Sequence, residues 1–155
     1  MSNRVQYLLN MASSVDICEH LICCDTEFSP FLSSRVVIND YAHKLKENAV
    51  RFEAWVDHLL IGLVAAYSND KETLIAYVTS VSVLNTWVCK GIATNLMEQC
   101  IKYVKAFGMQ YLQLEVGIKN IPDIRLYTNM GFIVCEENEL IIGMSLDLTK
   151  ENANE

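Results

Sequence analysis

The apolar positions of the chain change period several times, and each change marks a new element. Residues 14 to 25 place Val15, Ile17, Cys18, Leu21 and Ile22 near helical spacing, with Ser13 or Ser14 available as N-cap, so a first helix is predicted there. Thr26 to Arg35 holds a proline, serines and two aromatics without a period and reads as an unusually apolar loop. Asn39 or Asp40 can cap a second short helix running through Ala49. From Val50 to Val56 the residues alternate, Asp57-His58 turns, and Leu59 to Tyr67 is a continuous apolar run. That pattern predicts a hairpin whose second strand is buried. Ser68 to Lys71 is a second turn, and the β-branched stretch from Thr73 to Val83 adds a third strand.

The helical period returns from Gly91 to Phe107, where Ala93, Leu96, Met97, Cys100, Ile101 and Val104 form a stripe and Gly108 follows at the position of a C-cap glycine. Tyr111 to Val116 reads as a strand and Pro122 to Met130 as a short helix. Residues 131–134 with Leu140 to Leu148 form a hairpin over the Glu136-Glu137-Asn138 turn. Hairpins followed by strand–helix alternation predict an α+β (mixed α/β) fold with helices packed on a mixed sheet. No repeat, low-complexity segment or linker interrupts the chain, so residues 1–148 are expected to form one domain, followed by a polar tail over 149–155.

Composition narrows the picture. With 155 residues, 52% of them hydrophobic and 20% charged, the chain should bury about 70% of its extended surface and needs no disulfide or metal staple. A mean hydropathy of +0.19 is not that of a disordered chain. The longest apolar stretch is nine residues and contains Gly62, far short of the roughly 20 that cross a bilayer. Twelve basic against 19 acidic residues give a net charge of −7, which argues against a protein held on nucleic acid by bulk electrostatics, and no membrane partner is expected. The six cysteines (18, 23, 24, 89, 100 and 135) form no C-x-x-C pair, and no His stands at ligand spacing, so buried reduced thiols and no metal are expected. The start of the sequence lacks a signal-peptide core, and the expected location is the cytoplasm.

The chemistry concentrates where the third strand meets the long helix, Val83-Leu84-Asn85-Thr86-Trp87-Val88-Cys89-Lys90-Gly91-Ile92-Ala93-Thr94. Gly91 and Ala93 at a helix start let a ligand approach the backbone, whose free N–H groups and dipole attract phosphate. Taken alone, such a start is also an ordinary structural one. A second stretch, Leu114-Glu115-Val116 followed by Asn120 and then Ile124-Arg125-Leu126-Tyr127-Thr128-Asn129-Met130-Gly131-Phe132, stands after the long helix.

Together the two stretches resemble the GCN5-related N-acetyltransferase (GNAT) superfamily, the first its Q/R-x-x-G-x-G/A acetyl-CoA loop and the second its L-E-V-x-x-x-N-x-x-A-I-x-L-Y-x-x-x-G-F pattern. The resemblance implies a mostly antiparallel central sheet with helices on both faces, and acetyl-CoA as cosubstrate. Val88, Cys89, Lys90, Gly91, Ile92, Ala93 and Thr94 would surround the pyrophosphate, and the main chain at Val81 and Val83 would pair with the pantetheine arm. Asn120 would hold the pantetheine, Tyr127 would lie near the sulfur, and Glu115 stands where some relatives that acetylate protein N-termini place a base. Three positions depart from the pattern: Val88 replaces the usual Gln or Arg, Asp123 a small residue and Asn85 a frequent proline. The strand position of the glutamate in the histone-acetylating branch falls near Tyr77, which argues against that branch.

The implied reaction is direct attack of a neutral primary amine on a thioester in a ternary complex, with a base for the amine proton and an acid for the leaving sulfur. A tyrosine suits the acid role because it stays protonated at neutral pH. Alone, Tyr127 reads as a core aromatic, and Glu115 reads equally as base or as an ion-paired strand residue. The resemblance also makes Phe28, Phe31, Ser33 and Arg35 candidates for shaping the acceptor cleft. The acceptor stays open between a small amine, an amino sugar and a peptide N-terminus, and a homodimer is compatible with the reading. The rival is a binding module that senses acyl-CoA without turnover.

Overall fold

The computed structural model describes residues 4–28 and 30–150; the last five residues of the expected tail, 151–155, and Ser29 of the apolar loop lie outside them. The strands are β1 (Gln6–Leu9), β2 (Val50–Val56), β3 (Leu59–Tyr67), β4 (Ile75–Val83), β5 (Tyr111–Gly117), β6 (Ile133–Glu137) and β7 (Ile141–Asp147). The helices are α1 (Ser14–Cys24), α2 (Ile38–Asn48), α3 (Ile92–Ala106) and α4 (Ile121–Asn129). The fold is α+β, with a seven-stranded sheet in the order β1-β2-β3-β4-β5-β7-β6. Pairing is antiparallel for β1–β2, β2–β3, β5–β7 and β6–β7, and parallel for β4–β5. The chain divides into two compact units, Met1–Ala66 with Ser80–Cys100 and Tyr67–Thr79 with Ile101–Glu155.

In the first unit, α1 opens with a capping box in which Ser13 and Asp16 bond each other's backbone N–H. The second helix departs from the sequence reading: it starts at Ile38, behind Val37, and neither Asn39 nor Asp40 caps it. The apolar loop contains two 3-10 turns, Asp25–Glu27 and Leu32–Ser34. The β2–β3 hairpin turns on Asp57 and His58, both in the left-handed region at φ 48° and 69°, as a two-residue turn requires. At Gly62 of β3 a Cβ would stand 2.9 Å from Ile92 Cγ2 and 3.3 Å from Leu96 Cδ1, so only glycine lets α3 lie this close to the strand.

Alternation in β2 would put Arg51 and Glu53 on a wet face, yet they are 3% and 0% exposed. The reason is partnering inside the fold. Glu53 accepts hydrogen bonds from the N–H groups of Met11 and Ala12 and from Trp55 Nε1, while Arg51 donates to the carbonyls of Leu45, Lys46 and Ala49 at the end of α2 and to Ala12 O. The two charges lie 3.4 Å apart. The pair therefore ties the end of α2 and the β1–α1 connection to β2, and removing either partner would strand a buried charge. Just before this connection β1, a four-residue strand that periodicity does not reveal, pairs antiparallel with β2.

In the second unit, β5 runs beside Ile75–Val78 of β4 on one side and along all of β7 on the other. Gly108, at φ 98°, ends α3 as expected. The third predicted strand begins at Ile75 rather than Thr73, because Asp70 Oδ1 accepts from the N–H groups of Glu72 and Thr73 and holds that segment in the turn. At the sheet edge, β6 carries an extra residue, Cys135, between Val134 and Glu136. Beneath α4, Tyr127 and Phe132 meet edge to face, with ring centres 5.9 Å apart.

Candidate active site

Each part of the candidate site is fixed by local structure. After β4 the chain is anchored by Leu84 N–H to Ile61 O at 2.8 Å and turns through a 3-10 segment, Asn85–Trp87. It then passes through two left-handed residues, Cys89 at φ 62° and Gly91 at φ 79°. The helical bonding of α3 begins with Asn95 N–H to Gly91 O at 3.0 Å, so the N–H groups of Ile92, Ala93 and Thr94 precede the first intrahelical bond. Gly91 has no side chain to cap them. A Cβ built on it would meet nothing within 4 Å, and Val88, Cys89, Lys90 and Gly91 are all exposed. Open space beside unclaimed donors at the positive end of a 15-residue helix fits a pyrophosphate.

The strand before this loop alternates. Val81 and Val83 are half-buried, while Ser80 and Ser82, which alternate with them, are buried. Ser82 accounts for itself through His20 of α1. Leu60 O can only accept, so the proton of the imidazole sits on Nδ1, 2.9 Å from it, and the bare Nε2 accepts from the Ser82 hydroxyl at 2.9 Å. Burial lowers the His20 pKa to about 4, which keeps the ring neutral. This histidine is structural. Burial likewise pushes the thiols of Cys24 and Cys100 up to about 12, so neither is a nucleophile at neutral pH.

The parallel ladder of β4 and β5 ends at Val78–Leu114, although β5 continues through Glu115, Val116 and Gly117. Glu115, the first residue beyond the paired segment, is exposed, and the Tyr77 hydroxyl donates to its Oε1 at 3.3 Å. The structure thus brings together Glu115, the candidate base, and Tyr77. No spacing rule links two residues on separate strands, so sequence reasoning did not pair them.

Downstream, Asn120 is the N-cap of α4. Its Oδ1 accepts from Asp123 N–H at 3.3 Å, and its Nδ2 donates to Asp123 Oδ2 at 2.9 Å. One turn later Tyr127 is 3% exposed, and its hydroxyl is pushed well above the usual tyrosine range by burial and then by the Asp123 charge. It holds its proton throughout the physiological range. Asp123 was read from the sequence only as a departure from a small residue. Its partnership with Asn120 was legible as an Asn-x-x-Asp cap with Pro122 between them.

Of the acceptor candidates, Phe28 is half-buried, Phe31 is 52% exposed and Arg35 is exposed. Their loop is shaped by Asp25, whose Oδ1 accepts from Ser33 N–H at 2.7 Å; that bond and one with the Ser33 side chain hold the carboxyl below its usual range. Among the described residues no group of three His, Cys, Asp or Glu could hold a metal ion, and no helix is long and apolar enough to cross a membrane.

Comparison with known proteins identifies a family and a shared fold. The model of the acetyltransferase (GNAT) family matches residues 15–132. An N-alpha-acetyltransferase of Saccharolobus solfataricus is 33% identical over 103 residues, 59% of this chain and 62% of that protein, so the match spans less than two thirds of the relative. Two solved structures share the fold. The ribosomal-protein-S18-alanine N-acetyltransferase of Escherichia coli has a TM-score of 0.72 at 17% identity, covering 96% of this chain and 98% of that one. The protein yncA of Salmonella typhimurium, solved with its cofactor acetyl-CoA, has a TM-score of 0.74 at 15% identity and the same coverage. The chain belongs to the GNAT family of acetyltransferases.

Proposed function

We propose that the protein is an acetyl-CoA-dependent N-acetyltransferase whose acceptor is the α-amine of a peptide or protein N-terminus. The observation that carries the reading is the uncapped start of α3, where Gly91 leaves open space beside the donors of Ile92, Ala93 and Thr94. The choice of an α-amine over a small amine or an amino sugar rests on the N-alpha-acetyltransferases similar to this chain. Continuity of the family match from 15 to 132, through both compact units, supports treating 1–148 as one functional domain.

Acetyl-CoA supplies an activated acyl group, so no metal or covalent enzyme intermediate is needed. The backbone at Gly91–Thr94 holds the pyrophosphate, with Lys90 adding a charge. The main chain at Val81 and Val83 pairs with the pantetheine, which Asn120 steadies through its remaining N–H. Glu115, with Tyr77 donating to it, accepts the proton released as the amine nitrogen bonds to the acyl carbon. Tyr127, protonated and buried, donates to the sulfur as the C–S bond breaks.

The test is acetyl-CoA-dependent thiol release across a panel of peptides differing in their first residue, small amines and amino sugars. Turnover on free-N-terminal peptides is the expected result. Turnover confined to small amines or amino sugars overturns the acceptor, and acetyl-CoA binding without turnover on the whole panel favours an acyl-CoA sensor.

A further inference from the structure

Two of the proposed site residues meet a third that the family pattern does not supply. Asp123 lies at the third position of α4, within hydrogen-bond reach of Asn120 on both ends of its amide, and four residues before Tyr127. Positions four apart on a helix lie one above the other, so the carboxylate and the Tyr127 ring share a face. The Asn120 amide has two acceptor sites and two N–H donors. Asp123 engages one of each, which fixes the rotamer and leaves one N–H and one lone pair for a ligand. We propose that Asp123 is a positioning residue: its hydrogen bonds orient Asn120 toward the acyl donor, and its carboxylate lies beside Tyr127, one helical turn on.

The electrostatics point the same way. Burial raises the Asp123 carboxyl, and the bond from Asn120 opposes that rise. Asp123 is also the charge that acts on Tyr127, while Glu115 on β5 bonds Tyr77. A carboxylate beside a phenol disfavours the phenolate, because the two would be like charges in a desolvated place.

The proposal rests on the acetyltransferase reading, and the experiment separates the two. Steady-state kinetics are measured on the full chain and on Asp123→Ala and Asp123→Asn. In parallel, a difluorinated tyrosine at position 127, whose phenol ionises at lower pH, is titrated by fluorine NMR in each background. Asp123→Asn keeps an oxygen for the Asn120 N–H but removes the charge. The expected result is a KM for acetyl-CoA raised about 10-fold by Asp123→Ala, with kcat changed far less, and restored toward the parent by Asp123→Asn. The fluorotyrosine midpoint should fall in both variants. Should Asp123→Ala fail to fold, Asp123→Asn still decides: parental KM with a lowered midpoint supports the proposal, and an unmoved midpoint overturns it. Equal KM defects in the two variants overturn the orienting role. A parent chain with no turnover overturns the acetyltransferase reading itself, whereas parental turnover with unchanged variants overturns only the role of Asp123.

Discussion

The first turns of α3 and α4 both leave backbone N–H groups without intrahelical partners, and they meet that problem in opposite ways. At α4 the chain closes on itself: Asn120 and Asp123 bond each other, and Pro122 removes one donor altogether. At α3 the preceding residue is Gly91, and the helix start stays open beside exposed backbone. The open start suits binding through main-chain groups, which tolerate change at neighbouring side chains. This explains how Val88, 44% exposed, can stand in place of the family's Gln or Arg. The closed start suits chemistry through side chains, each held by a specific partner and each sensitive to substitution.

The largest effect should come from filling the open start. Gly91→Glu places a side chain and a negative charge where phosphate is expected, at a φ of 79° that strains any L-residue. Acetyl-CoA binding measured by calorimetry should be lost, and parental affinity would return the loop to a structural role.

At the closed start, Tyr127→Phe removes one hydroxyl. It should leave the fold and acetyl-CoA affinity intact while lowering kcat about 100-fold in a chemistry-limited assay. Unchanged kcat would remove the acid from the mechanism.

Acid-limb kinetics need a window in which the fold holds, and His20 sets it. Its folded pKa of about 4 lies below the ordinary 6.5, so the unfolded chain binds the proton first as pH falls. The stability that neutral His20 contributes is full above about pH 6.5 and declines toward pH 4, by about 3 kcal/mol. Urea midpoints across that range should follow this limb in the parent and flatten in His20→Gln.

A smaller effect is expected for Glu115→Gln. Here kcat/KM should fall about 10-fold near neutral pH, where an α-amine of pKa about 8 is mostly protonated, and recover as pH rises. A defect independent of pH would return Glu115 to acceptor binding. The smallest belongs to the open start again. Lys90 is exposed, so Lys90→Ala should weaken acetyl-CoA about 3-fold, and high salt should erase the difference.

The sheet and its helices were legible because most elements are long enough for their period to show. The hairpin over Asp57-His58 and the helix ending at Gly108 carry turn chemistry as well as pattern. What escaped has physical reasons. The strand β1 is too short for a period, and it is fixed by antiparallel pairing with β2, a strand distant in sequence. The cap of α2 could not be read because Val37 makes no side-chain bond. The proposed phosphate loop could be read from the sequence as Gly91 and Ala93 before a helical stripe, because small residues stand there at fixed positions. The Tyr77–Glu115 bond could not, because register between strands sets it. Asp123 was seen but undervalued: one residue meets two partners on one helix, and a linear pattern records it only as an exception.

The most direct measurement is mass spectrometry of a peptide with a free N-terminus and an internal lysine after incubation with the protein and acetyl-CoA, with fragmentation locating the acetyl group. Acetylation of the α-amine, dependent on acetyl-CoA and lost in Gly91→Glu, is the result the account predicts. Acetyl found only on the lysine side chain, or on neither amine across a set of first residues, would contradict it.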